Sequence, residues 1–295
     1  MNPYVVIDIG GTSIKYGLAD AKGQLLETHE MPTEAQKGGP HILNTTKEIV
    51  ARYLKKHALA GVAISSAGMV DPDKGEIFYA GPQIPNYAGT QFKKEIEETF
   101  QIPCEIENDV NCAGLAEVTT GHAKGSNNAV CLTIGTGIGG CLLLDGQVFH
   151  GFSNSACEVG YLHLPDGAFQ DLASTTALVE YVAEHHGDPV EQWNGRRIFK
   201  QATEGDKICM AGIDRMVTYL GKGLANIVYV VNPEVIVLGG GIMVQEAILK
   251  PKIYQALCAE LVPSLADKIR LEFAHHQNAA GMLGAYYHFR QKHGT

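Results

Sequence analysis

One pattern occurs twice in this chain: a short apolar run, a turn rich in glycine and threonine, and a second apolar run. The first copy begins at Tyr4 and turns at Gly10-Gly11-Thr12, and the second begins at Ala129 and turns at Gly135-Thr136-Gly137. Apolar runs of about four to eight residues that end in glycine predict buried strands followed by tight turns. The repetition therefore predicts two domains of related construction.

Helical periodicity separates the predicted strands. Apolar residues recur at helical spacing over residues 40–57 and from Ile213 to Val231, where Asn232-Pro233 ends the pattern. Further helices are predicted from about Val244 to Leu261 and from about residue 278 onward. Strands that alternate with helices indicate the α/β class, and 295 residues suffice for one large or two modest domains.

Composition excludes several classes of function. The net charge of −9, without any block of Lys and Arg, argues against general affinity for nucleic acid or anionic membranes. The N-terminal run lacks the basic segment of a signal peptide, and no apolar stretch reaches roughly 18 residues, the length of a membrane span. Seven scattered cysteines with no C-x-x-C pair are typical of reduced thiols. We therefore expect a cytoplasmic protein whose oligomeric state stays open, a homodimer included.

Three glycine-rich turns follow apolar strands: Gly10-Gly11-Thr12, Gly135-Thr136-Gly137 and Gly239-Gly240-Gly241. Such turns can bring backbone N–H groups against phosphate oxygens, although a turn of this kind is more often a plain β-turn. None is a Walker A loop, because the chain contains no G-x-x-x-x-G-K-[ST]. Asp8 precedes the first turn, and a carboxylate beside a phosphate is repulsive unless a cation lies between them. Asp8 is therefore predicted to be a Mg²⁺ partner, directly or through water, with a turn-capping role as the alternative.

The segment Glu107-Asn108-Asp109-Val110-Asn111 follows a predicted strand from Cys104 to Ile106 and leads into a predicted helix from Ala113 to Thr119. An Asn or Asp before a helix is usually only an N-cap. Because this segment lies between two predicted phosphate-binding turns, Asp109 is instead the leading candidate for a catalytic base.

Five motifs along residues 4–286 give the chain a family resemblance. In order they are DIGGTSIK, ENDVNCA, LTIGTGIGG, VIVLGGG and NAAGMLGA. They resemble the first phosphate, first connecting, second phosphate, adenosine and second connecting motifs of ROK-family sugar kinases, within the actin-like ATPase superfamily. Five motifs in the family order are far more specific than any one of them.

The resemblance implies two actin-like, ribonuclease H-like lobes with MgATP and a sugar in the cleft between them. It implies a small N-terminal lobe over residues 1–112, completed by a C-terminal helix at about 280–295, and a large lobe over 113–279. Asp109 is then the catalytic base, and Asn108 and Glu158 bind the sugar. The residues implied to bind the nucleotide are Asp8, Gly10, Gly11, Thr12, Lys15, Gly135, Thr136, Gly137, Gly239, Gly240 and Gly241.

Two family positions differ in this chain. Many relatives bind zinc through a His after E-x-G and through a cysteine-rich run, whereas here the His position is Tyr161 and the segment 164–170 has no cysteine. A zinc site needs about four ligands, so none is expected. The family Glu that reaches the sugar's 1- and 2-hydroxyls corresponds to Gln170. We expect Tyr161 and Gln170 to contact a substrate with a substituent on O1, which favours a β-glucoside kinase acting on O6.

Other functions remain as alternatives. A glucokinase or N-acetylmannosamine kinase differs only in substrate. A ROK transcriptional repressor carries an N-terminal helix-turn-helix, and in this sequence three residues precede the first predicted strand at Tyr4. A non-catalytic sugar sensor is expected to lose the base or a phosphate turn, and neither is lost here. The sequence does not fix the nucleotide preference or the pathway.

Overall fold

The computed structural model describes residues 2–294 and divides them into two compact units. Unit 1 comprises the described residues of Met1–Thr119, His150–Ala156 and Asn278–Thr295, and unit 2 comprises Thr120–Phe149 and Cys157–Gln277. The lobe boundary expected at residue 112 falls inside a helix that ends at Thr120, and the division lies at the end of that helix. The inclusion of residues 150–156 in unit 1 was not expected from the sequence.

Strands and helices alternate along the chain, as the α/β class requires. The strands are β1 (Tyr4–Ile9), β2 (Ser13–Ala19), β3 (Leu25–Pro32), β4 (Gly61–Ser66), β5 (Met69–Asp71), β6 (Glu76–Tyr79), β7 (Cys104–Asn108), β8 (Asn128–Ile134), β9 (Ile138–Leu144), β10 (Gln147–Val148), β11 (His163–Leu164), β12 (Gly167–Ala168), β13 (Val235–Gly239) and β14 (Arg270–Phe273). The α-helices are α1 (Gly39–Leu54), α2 (Phe92–Phe100), α3 (Asp109–Thr120), α4 (Phe169–Ala173), α5 (Thr175–His186), α6 (Gly195–Thr203), α7 (Lys207–Val231), α8 (Glu246–Glu260), α9 (Pro263–Ala266) and α10 (Ala280–His293).

The two units contain sheets of the same design. In unit 1 the strand order is β3-β2-β1-β4-β7, with β1 antiparallel to β2 and parallel to β4. In unit 2 the order is β10-β9-β8-β13-β14, with β8 antiparallel to β9 and parallel to β13. The pattern that occurs twice in the sequence corresponds to β1–β2 and β8–β9.

The two faces of the unit 1 sheet differ in chemistry. One face is apolar and packs against α1 and α2 through residues such as Ile7, Ile64 and Ile106. The other face packs against α3 and α10 through a smaller apolar cluster that includes Val6 and Phe289. Because side chains alternate along a strand, this second face also receives the polar residues that lie between the isoleucines. It is the face on which the candidate site lies.

Two helices begin earlier than their apolar patterns predicted. Helix α3 begins at Asp109, and α7 begins at Lys207, where the Asp206 side chain accepts a hydrogen bond from the N–H of Cys209. An Asp at this position caps the free N–H groups of a first turn. Within residues 2–294, no helix combines the length and hydrophobicity that a bilayer crossing needs.

Candidate active site

Three polar side chains form one row across the sheet of unit 1. The strand register pairs Asp8 of β1 with Ser65 of β4, and Ser65 with Glu107 of β7. The Ser65 hydroxyl donates to Oδ1 of Asp8 at 2.7 Å. Each of these parallel strands ends one residue later, so the row lies at the carboxyl edge of the sheet, where ligands bind in open α/β sheets.

Asp8 is half-buried, and its carboxylate is largely surrounded by protein atoms. Burial raises the pKa of Asp8, and the hydrogen bond from Ser65 and the charge of Lys15 oppose that rise. A nearby cation stabilises a buried carboxylate, and Mg²⁺ commonly binds one or two carboxylates together with substrate phosphates. The residues present therefore fit a magnesium ion, which Asp8 would hold directly or through water.

Helix α10 begins directly beside Asp8. A Cβ atom on Gly281 would lie 2.3 Å from Cγ of Asp8, so the helix can approach this closely only with glycine there. The first turn of a helix presents unpaired N–H groups and the positive end of the helix dipole. Both features favour a carboxylate at this place.

The first glycine turn joins β1 to β2 and leaves open space. The N–H of Gly10 donates to the carbonyl of Ser13 at 3.0 Å, which closes the turn. Apart from its chain neighbours, nothing lies within 4 Å of where a Cβ of Gly11 would be, and both Gly11 and Thr12 are exposed. Lys15 pairs with Asp8 in the strand register, next to this turn. The turn thus has room for a phosphate group beside Asp8.

Asn108 and Asp109 stand at the junction of β7 and α3. Oδ1 of Asn108 accepts from the N–H groups of Val110 and Asn111 at 2.9 and 3.1 Å, which makes Asn108 the cap of the helix. Its Nδ2 donates to the Gly68 carbonyl at 2.9 Å and to Oδ1 of Asp109 at 3.1 Å. A sugar hydroxyl would have to replace one of these bonds. The capping role that competed with catalysis at Asp109 is therefore filled mainly by Asn108.

Tyr87 is a member of this site that sequence reasoning missed. It is 1% exposed, and its hydroxyl lies 2.6 Å from Oγ of Ser66, the strand neighbour of Asn108. Burial raises the pKa of Tyr87, the hydrogen bond with Ser66 opposes the rise, and the charge of Asp109 adds to it. Tyr87 therefore stays neutral and within the electrostatic reach of Asp109.

In unit 2, the second glycine turn lies beside the first residue of α5. The N–H of Gly135 donates to the carbonyl of Gly137, and the N–H of Thr175 donates to the carbonyl of Gly135, both at 2.9 Å. No atom beyond the chain neighbours of Gly135 lies within 4 Å of where its Cβ would be. This turn, with Thr136 at its centre, therefore leaves room for a ligand as the first turn does.

A cavity of about 670 Å³ in unit 2 brings the second and third glycine turns together. Gly135, Thr136 and Gly241 contribute to its wall. Gly240 has φ +107°, and its Cβ would lie 2.2 Å from the Ile134 carbonyl, so the third turn packs tightly against the end of β8. Gly239 ends β13 behind this wall. Sequence reasoning did not find the other wall residues, among them Trp193, Arg196 and Val244.

Gln170 lies between two segments that the sequence had singled out. A Cβ on Gly137 would be 2.8 Å from Oε1 of Gln170, and a Cβ on Gly160 would be 3.0 Å from the same atom. Tyr161, which follows Gly160, is 55% exposed, and Glu158, two residues before Gly160, has a pKa that burial raises. The structure thus brings the predicted residues together in two groups: Asp8, Asn108 and Asp109 in unit 1, and Gln170 with the second turn in unit 2.

One group of three side chains among residues 2–294 has the spacing of metal ligands, with atoms of His186, Asp206 and Cys209 within 4.8 Å of one another. Burial and the charge of Asp206 raise the pKa of Cys209 to about 11, which disfavours the thiolate that zinc needs. The group also lies at the positive end of α7, where Asp206 already caps the helix. These features disfavour zinc.

We expect the purified protein to carry no stoichiometric zinc, because this group supplies only three ligands and the positions of the zinc motif are changed. Metal analysis after exhaustive dialysis measures this directly. About one zinc per chain would contradict the expectation, and Cys209→Ser would then show whether this group is the site. Activity should still require added Mg²⁺, since the charge of the transferred group must be neutralised.

Comparisons with known proteins agree with these features. The family model described as ROK family matches residues 4–292. A beta-glucoside kinase of Listeria monocytogenes is 34% identical over 294 residues, covering 97% of this chain and 96% of the relative. A ROK family protein of Streptococcus pneumoniae, solved in complex with sucrose, has a TM-score of 0.87 and 29% identity, covering 99% of both chains. A ROK family glucokinase of Streptomyces griseus, solved with glucose and AMPPNP, has a TM-score of 0.83 and 26% identity, covering 96% of this chain and 97% of that one.

Proposed function

This chain belongs to the ROK family, and from that premise we propose that this ATP-dependent carbohydrate kinase phosphorylates O6 of the non-reducing glucose of a β-glucoside such as cellobiose. The observation that carries the choice of substrate is Gln170, whose neutral amide lies beside Gly160 and the second glycine turn. The Listeria beta-glucoside kinase and the Streptococcus protein solved with sucrose support a glycoside as acceptor.

Asp109 is the proposed base. Its carboxylate takes the proton of the acceptor hydroxyl while that oxygen attacks the γ-phosphorus. The new bond joins the sugar oxygen to phosphorus, the bond from phosphorus to the β–γ bridging oxygen breaks, and ADP leaves. The hydrogen bond from Nδ2 of Asn108 holds Asp109 in place before the reaction. Such positioning matters because phosphoryl transfer involves little other covalent chemistry for a protein to perform.

The nucleotide is proposed to use both glycine turns of unit 2. The cavity of about 670 Å³ is within the range of roughly 300–1,000 Å³ that small-molecule sites occupy. Its apolar wall, which includes Trp193 and Val244, suits a nucleobase, and Thr136 at the centre of the second turn is proposed to offer a backbone N–H group to phosphate oxygens. In unit 1 the turn of Gly10, Gly11 and Thr12 is proposed to leave room for a phosphate group, and the Lys15 side chain is proposed to supply positive charge beside it. A bound Mg²⁺ at Asp8 supplies neutralisation of phosphate charge.

Three side chains of unit 2 are proposed to choose the acceptor. A carboxylate at position 170 would accept a strong charge-assisted hydrogen bond from a free anomeric hydroxyl. The neutral amide of Gln170 can accept only an ordinary hydrogen bond from it. A glycoside has no such hydroxyl to donate. Tyr161 is exposed and offers an aromatic face to a sugar ring, and Glu158 remains as a hydrogen-bond acceptor for its hydroxyls.

The main alternative is a glucokinase, and the Streptomyces structure with glucose is the observation that favours it. Glu158 is retained in this chain, so a free glucose still meets one of the expected acidic ligands. An N-acetylmannosamine kinase is the other alternative of this kind. A non-catalytic sensor is disfavoured, because Asp109 and all three glycine turns are present.

We expect kcat/KM to be at least about tenfold higher for cellobiose than for glucose or N-acetylmannosamine, equivalent to about 1.4 kcal/mol in transition-state binding. The cause is the missing carboxylate at position 170. A substrate panel read out by ATP consumption measures this ratio. Gln170→Glu is the matched variant and should raise kcat/KM for glucose relative to cellobiose. A tenfold preference of the wild type for a free monosaccharide would refute the glycoside proposal and leave the kinase assignment standing.

A further inference from the structure

Glu107 is a charged residue buried inside the sheet of unit 1 that the proposed chemistry does not use. Its side chain is 0% exposed, at the third position of the polar row. Oε1 accepts from the backbone N–H of Asn108 at 2.7 Å and from Nδ2 of Asn111 at 3.0 Å. The carboxylate therefore binds the residues on both sides of Asp109, at the start of α3.

The other oxygen of Glu107 binds a segment that comes from elsewhere in the chain. Nε2 of His150 lies 2.6 Å from Oε2 of Glu107, and the His150 side chain is 26% exposed. His150 begins the segment 150–156, which belongs to unit 1 although residues on both sides of it belong to unit 2. Within the segment, the N–H of Ala156 donates to the carbonyl of His150 at 3.2 Å, which closes it into a loop. His150 is thus a link between this loop and β7.

We propose that the ion pair of Glu107 and His150 is a positioning element of the sugar site. It holds the segment 150–156 and the start of α3 in one arrangement, so that the acceptor sugar binds more weakly when the pair is broken. This inference rests on the proposed function, because it assigns the acceptor to Asn108 and Asp109. Neither Glu107 nor His150 touches the reacting atoms in this account.

The pair responds to pH through His150. The hydrogen bond with Glu107 raises the pKa of His150, burial opposes the rise, and the charges of Glu107 and Asp73 favour it while that of Lys292 opposes it. Burial would raise the pKa of Glu107, but the His150 hydrogen bond and the charges of His288 and His150 outweigh it and hold that pKa below its ordinary value. Each partner thus shifts the pKa of the other in the direction that favours the charged pair.

The groups around the pair differ from His150 in how their pKa values are shifted. His288 packs on the other side of Glu107, with Nδ1 at 3.7 Å from Oε2, and burial lowers its pKa, so it is neutral at pH 7. The remaining charged groups around the pair are Glu105, Asp73 and Lys292, and Cys112 is a buried thiol whose pKa burial raises. Of the two histidines at Glu107, His150 is the one whose pKa is raised from its ordinary value of about 6.5.

The pH range in which the Glu107–His150 pair is stable follows from the raised pKa of His150. A histidine whose folded pKa exceeds its unfolded value contributes stability in full below the unfolded value, about 6.5, and loses it as the pH rises through the folded value. The pair is therefore intact at pH 6.5 and broken progressively above it. Sugar hydroxyls do not ionise between pH 6.5 and 9, so a change in acceptor KM over this range reports on the protein.

The experiment measures KM for the acceptor, KM for ATP and kcat from pH 6.5 to 9 in the wild type and in His150→Gln. Wild-type acceptor KM should rise about fivefold across the range, which is less than the full loss of a hydrogen bond to a charged group because the pair acts through α3 and does not touch the sugar. His150→Gln, which cannot titrate, should show a raised KM at pH 6.5 and little further change. KM for ATP and kcat should change much less in both proteins.

His293→Gln is the matched control, since His293 lies on α10 at 3.0 Å from Glu105 rather than Glu107, and it should keep the wild-type profile. A wild-type rise that persists unchanged in His150→Gln would overturn the inference, as would an equal change in KM for ATP. If no sugar is phosphorylated at any pH, the proposed function fails instead. Thermal unfolding of each variant at pH 6.5 shows whether a loss of folding explains its KM.

Discussion

Replacing Asp109 by asparagine should lower kcat by at least about 10²-fold, the typical contribution of a positioned general base. The amide cannot accept the proton of the sugar hydroxyl, yet it has nearly the same shape as the carboxylate. It also still accepts a hydrogen bond from the N–H of Val110, which Oδ1 of Asp109 accepts at 2.9 Å. Steady-state kinetics with saturating ATP and acceptor measure kcat, and KM for the acceptor should change far less.

The control for this prediction is a second aspartate at the start of a helix. Asp206 caps α7 through the N–H of Cys209, and asparagine is an equally good cap, so Asp206→Asn should keep wild-type kcat. Because Asn108 provides the cap of α3, Asp109→Asn should also unfold at nearly the wild-type temperature. Near-normal turnover in Asp109→Asn would remove this residue from the mechanism.

The parts of the fold that the sequence predicted are those with a local signal. The strands that end at Ile9 and Ile134 are each followed by a glycine turn. The third turn follows β13, and the positive φ of Gly240 and its close approach to the Ile134 carbonyl require glycine there. The same logic predicted Asp109 at a strand-to-helix junction. Each of these features is visible within about ten consecutive residues.

The parts that could not be predicted depend on register between distant segments. Asp8, Ser65 and Glu107 form a row only because β1, β4 and β7 are adjacent and in phase, and no single stretch of sequence shows this. One signal was available: Glu105 and Glu107 alternate with the apolar residues Cys104 and Ile106 in β7. Acidic residues on one face of a buried strand are costly unless paired, and here they meet histidines of other segments.

The role predicted for Asn108 in sugar binding also depends on contacts that the sequence does not show. Asn108 was expected to hold sugar hydroxyls, but in the structure its side chain makes four hydrogen bonds within the protein. Two acceptor sites and two donor hydrogens are all that an amide has, so its capacity is filled. We infer that Asn108 acts first as the support of Asp109, and that an arriving sugar exchanges with one of these bonds.

Gly281→Ala should lower kcat by about 10²-fold, although Gly281 is proposed to touch neither substrate. Its added Cβ would lie 2.3 Å from Cγ and Oδ1 of Asp8 and 2.6 Å from Oδ2, so the carboxylate or the start of α10 must move. Overpacking of this kind typically costs about 1–3 kcal/mol in stability. A displacement of about 1 Å at a group that positions the reaction can cost about 10²-fold in rate. Kinetics at saturating Mg²⁺ and the unfolding temperature measure the two effects separately.

A double-mutant cycle shows whether the loss arises at Asp8. Asp8→Ala removes the carboxylate that the new methyl group would strike, and it should itself cost activity because Asp8 is the proposed partner of the magnesium ion. If Gly281→Ala acts through Asp8, adding it to Asp8→Ala should lower kcat little further and should restore part of the lost unfolding temperature, since contacting residues are not additive. Additive losses in the two variants would mean that the methyl group acts through α10 as a whole. The contact between Gly281 and Asp8 would then not be the cause of the lost activity.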